Sequence, residues 1–101
     1  MNAQTLNALN ESIRHWQRYV DGFGKEEGEP LVHNCSLCGL FYQSECSGCP
    51  IREKTGFINC RRTPYEDAWD AYNKHGPTSP EFIEQAKLML EFLKSLLPVG
   101  L

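Results

Sequence analysis

The feature that most constrains this chain is a run of five cysteines, Cys35-x2-Cys38-x7-Cys46-x2-Cys49-x10-Cys60. A gap of two residues lets both thiolates of a tight turn point at one ion, while nearby backbone amides donate to the sulfurs. Zinc suits such a site because it is borderline-soft, has no d-electron preference of geometry, and takes four thiolates in a tetrahedron. Two such pairs within 15 residues therefore predict a zinc-knuckle segment. The odd cysteine count rules out a complete disulfide framework within one chain.

Five thiols and one tetrahedral ion leave one thiol over. The two knuckles can close on each other, or Cys60 can replace Cys46 to give Cys35, Cys38, Cys49 and Cys60. His33 lies two residues before the first knuckle and reads as an exposed loop histidine. An iron–sulfur cluster is the alternative cofactor, since Cys49-Pro50 resembles the cysteine–proline that closes some ferredoxin motifs. The full ferredoxin spacing is absent. Zinc held by four protein ligands leaves no position for activated water. No nucleophile–base pairing, phosphate loop or catalytic carboxylate pair accompanies it, so the expectation is not an enzyme. A leftover thiol also raises redox sensing as a minor alternative.

The rest of the chain reads as helix. At 101 residues, with 41% hydrophobic and 23% charged residues, it matches one folded domain spanning residues 1–101 with a thin core that a metal staple would help. Leu6, Leu9, Ile13, Trp16 and Val20 recur at steps of three and four, within an arc of about 80°, and predict a helix over residues 5–21. Gly22 and Gly24 end it, and the polar stretch 25–30 reads as an exposed loop. Residues 33–62 carry the cysteines with turn residues Gly39, Gly48, Pro50 and Gly56, which predicts knuckles and a short strand near 40–42.

Thr63-Pro64-Tyr65-Glu66 then has the form of a capping box with proline at the first helical position. It predicts a second helix over 64–75, ended by Gly76 and Pro77. Ser79-Pro80 restarts a third helix to residue 97. Its apolar residues cover about 220°, more than one neighbour needs. It should pack on two neighbours, or on one neighbour and a second subunit in a homodimer. The predicted fold is mainly α: three helices with a cysteine-rich zinc-knuckle loop between the first and second.

Charge is uneven along the chain. Arg52, Lys54, Arg61 and Arg62 give residues 35–62 a net +2, while the flanks are acidic and the whole carries −3. Arginines on a zinc knuckle can grip phosphates, which makes nucleic acid an alternative partner. Compensation is the plainer account: four thiolates around Zn²⁺ leave −2, which those cations offset. His15, away from the apolar stripe and near Tyr19, could meet a partner or the metal loop, although such a histidine is more often solvated. His75 ends the second helix, where a cation suits the helix dipole. Glu66, Asp67 and Asp70 read as a solvated acidic face. No apolar run approaches a membrane span, and Met1–Thr5 lacks the look of a signal peptide. The expected setting is a reducing cytoplasm, with no membrane partner.

Cys35-Ser-Leu-Cys38, Cys46-Ser-Gly-Cys49-Pro50, Lys54-Thr55-Gly56, Cys60 and Thr63-Pro64-Tyr65 together resemble a family of short cysteine-rich phage and prophage proteins. The likeness extends to residues 12–16 and 92–98, so it covers most of the chain and takes in all five cysteines. The resemblance implies no enzyme activity or substrate. It implies a small accessory protein in the bacterial host cytoplasm. Such proteins often bind and redirect a host protein, antiviral defence components included.

Overall fold

The computed structural model describes residues 3–28, Lys54 and residues 64–97. Among the described residues four helices follow in order: α1 (Ala3–Val20), α2 (Gly24–Glu27), α3 (Tyr65–His75) and α4 (Pro80–Lys94). Helix makes up 80% of the described residues, with no strand among these, so the described part of the chain is mainly α as expected. The long helices are the three read from periodicity. α2 is the difference: polarity predicts a loop after Gly24, and the structure places one helical turn there. The zinc-knuckle segment, the strand near 40–42 and Thr63 fall outside the described residues.

α1 stops through a Schellman arrangement. Gly22 takes φ +94°, its amide donates to the Tyr19 carbonyl at 3.2 Å, and the Phe23 amide donates to Arg18 at 2.9 Å. These are the two reversed bonds that satisfy the last carbonyls of a helix. The side chains at those two positions also meet, with the Arg18 guanidinium 4.6 Å above the Phe23 ring.

α3 and α4 join through a compact corner. The Gly76 amide closes α3 on the Tyr72 carbonyl at 3.0 Å. Ser79 then caps α4: its Oγ accepts from the Phe82 amide at 3.2 Å and donates to the Gly76 carbonyl at 3.1 Å. Pro80 at the first helical position gives up only an amide that has no intrahelical partner.

The core lies where α4 packs against both α1 and α3. α4 contributes Phe82, Ala86, Met89, Leu90 and Leu93, and the flanking Phe92, Leu96 and Leu97 lean on the same cluster. Two neighbours thus account for most of the apolar arc of this helix, while Leu88 at its edge stays 46% exposed. α1 buries Thr5, Ala8, Leu9, Ser12, Trp16 and Tyr19. That face is turned about 70° from the apolar stripe, by helical-wheel reckoning at ~100° per residue. The small residues Ala8 and Ser12 allow a close neighbour, and Trp16 and Tyr19 supply the bulk. Leu6, Ile13 and Val20 are only half-buried.

Aromatic rings run across the three helices edge to face. Tyr19 meets Phe82 at 5.0 Å and Phe82 meets Tyr72 at 5.3 Å between centroids, the arrangement that ring quadrupoles favour. Among the described residues no buried side-chain nitrogen or oxygen lacks a partner.

Candidate functional site

Cys35, Cys38, Cys46, Cys49 and Cys60 lie outside the described residues, as do His33, Arg52, Arg61 and Arg62. Lys54 is exposed. Among the described residues no three His, Cys, Asp or Glu side chains gather in a way that could hold a metal. What the structure does define is how the chain leaves the helices before the cysteines and how it returns after them.

The exit is at Gly28. The Tyr19 hydroxyl donates to the Gly28 carbonyl at 2.7 Å, and burial, then the nearby Glu27 carboxylate, pushes that hydroxyl's pKa far up. The return is at Pro64 and Tyr65, and the Tyr65 ring meets Trp16 edge-on at 6.3 Å. Trp16 and Tyr19 are three apart on α1, hence neighbours on one turn, and they touch each other at 5.0 Å. Both ends of the chain between Gly28 and Pro64 are therefore tied to the same turn of α1.

α2 is held at both of its ends. A β-carbon on Gly24 would sit 2.0 Å from the Pro77 carbonyl oxygen, so only glycine lets the turn approach the corner between α3 and α4. At the other end, Glu27 reaches back to α1. Its Oε1 pairs with Arg18 Nε, and its Oε2 lies 3.3 Å from His15 Nδ1. The His15 side chain is 18% exposed, with its ring edge-on to Tyr19 at 4.7 Å and to Trp16 at 6.1 Å.

His15 is thus not a free solvated histidine. Burial lowers its pKa, Glu27 acts in the opposite direction, and Arg14 lowers it further. The sequence showed that His15 stands off the apolar stripe. The partner twelve residues on was hidden, because only α2 brings Glu27 back along α1.

Among the described residues an open groove of about 290 Å³ lies between α3 and α4. It is lined by Asp67, Asp70, Lys74, His75, Glu81 and Glu84, among others. Four carboxylates face two basic side chains, so the groove extends the acidic face read from α3 across to α4. His75 is the last residue of α3, as expected. Glu66 is exposed.

No family model, curated protein or solved structure matches this chain. No helix among the described residues is long and apolar enough to cross a membrane.

Proposed function

We propose that this chain is a small zinc-stapled helical protein of phage or prophage type, acting in the bacterial host cytoplasm by binding a host protein as an adaptor or inhibitor. The observation that carries the staple is the tying of Gly28 and Tyr65 to one turn of α1, with two Cys-x2-Cys pairs in the chain between them. Closing a loop costs entropy that rises with its length. A bundle that already brings the ends together lowers what the metal must supply, and metal binding stabilises the bundle in return.

Zinc held by four thiolates is structural, so the reading assigns activity to surfaces and not to the ion. The step from a zinc-stapled fold to a host protein target rests on the likeness to short phage proteins. Counter-defence is one role of that kind.

Two measurements on purified protein test the reading. Elemental analysis should find about one zinc per chain, and finding iron with acid-labile sulfide would replace zinc by a cluster. An affinity pull-down from bacterial lysate should recover a specific protein. Recovery of nucleic acid alone, lost steeply as salt rises, would shift the function to Arg52, Lys54, Arg61 and Arg62.

A further inference from the structure

We propose that His15, Glu27 and Arg18 form an acid-released clasp, which holds the α2 turn and the chain leaving it at Gly28 against α1. The inference uses only the described helices and stands whether or not the cysteines bind zinc.

The geometry is that of a hinged arm with one fixed end. α2 is four residues long, far below the length at which a helix supports itself, so contacts must hold it. Gly22 and Gly28 bracket it, at φ +94° and +81°. A β-carbon at either would meet nothing within 4 Å, so neither is wedged in place. The near end is anchored by the close approach of Gly24 to Pro77. The far end relies on Glu27 with Arg18 and His15, and on Tyr19 with Gly28. Those contacts join the far end of the turn to α1.

Among the described residues, the charged groups around His15 are few. Glu27 faces it from α2, and Arg14 and Arg18 belong to its own helix, as do Glu11 and Tyr19. Lys25 and Glu26 of α2 are exposed. α3 brings Tyr65 to the same turn of α1, against Trp16, and α4 brings the uncharged ring of Phe82 against Tyr19.

Burial of the imidazole is the largest influence on it and disfavours its charged form, more than Glu27 favours it. Closed, the clasp therefore prefers neutral His15. Open, the ring is solvated and takes its proton at the ordinary value near 6.5. The clasp is thus at full strength above about pH 6.5 and weakens as pH falls through the lower closed-state value. Arg18 also pairs with Glu27, so acid loosens the arm without unfolding the bundle.

The test is amide exchange of Glu27 and Gly28 in the full chain between about pH 7.5 and pH 5, above the ordinary carboxylate range. Rates are corrected for the intrinsic pH dependence of exchange. In wild type, protection at these two amides should fall by roughly two- to tenfold, since a single proton allows at most tenfold per pH unit. Protection at the core amides of α4 should hold. In His15→Phe, which keeps an aromatic ring, the fall should vanish. An equal fall in the variant would overturn the proposal.

An imidazole NMR titration of wild type gives a second reading that needs no variant to fold. His15 should titrate below about 6.5, and lower still in Glu27→Gln, which removes the influence that raises it. A wild-type midpoint at or above the ordinary value would also overturn the clasp.

Discussion

Gly22 and Gly24 stand two residues apart and are glycine for different reasons. Gly22 needs backbone freedom: its φ is +94° and a β-carbon there would meet nothing. Gly24 needs empty space, because Pro77 occupies the place a side chain would take. Gly22→Ala should cost about 1–2 kcal/mol, the penalty of a left-handed backbone for an L-residue, and a longer residue there should cost little more. Gly24→Ala should cost about 1–3 kcal/mol from overpacking against backbone, and the loss should climb with side-chain size. Urea unfolding of both series checks this, and the same dependence on size at both positions would contradict it. The sequence marks both as stops for α1. That holds for Gly22, where the local chain decides. It misses Gly24, whose reason lies at Pro77, far along the chain.

At the scale of elements, legibility follows how local each cause is. α3 and α4 were readable because glycine, proline and serine mark their ends and their apolar residues recur at helical steps. The Ser79 cap can be tested directly. Ser79→Ala removes an acceptor for the Phe82 amide and a donor to Gly76, and should cost about 0.5–2 kcal/mol. Ser79→Asp keeps the acceptor beside the positive helix end and should retain most of the stability. Thermal unfolding of the pair distinguishes a lost cap from a lost serine. α1 was found but turned, because counting apolar residues cannot say that Trp16 and Tyr19 would dominate its buried face. α2 escaped because its four residues carry no period, and contacts from α1 and Pro77 make it helical. The clasp was hidden with it: Glu27 becomes a partner for His15 only once that turn exists.

For the whole molecule, the helices close a core, and the same turn of α1 fastens both ends of the cysteine-bearing chain. If those cysteines hold one zinc, metal and bundle stabilise each other, and the fifth cysteine becomes the sharpest test. Zinc at one hundred times its Kd adds about 2.7 kcal/mol to the folded state, which for a chain of this size moves Tm by roughly 10–20 °C. Chelation should remove that increment. The far-UV helical signal should persist at room temperature, since the hydrophobic core cluster of the described residues comes from α1, α3 and α4. Single Cys→Ser variants then sort the ligands. Four should lose most of the zinc-dependent rise in Tm, and one should keep it. If Cys60→Ser keeps it, the two knuckles bind the ion. If Cys46→Ser keeps it, Cys60 completes the site. Equal loss at all five would mean a centre that uses every thiol, which one tetrahedral ion with four ligands does not. No loss at any would remove the metal from the fold altogether.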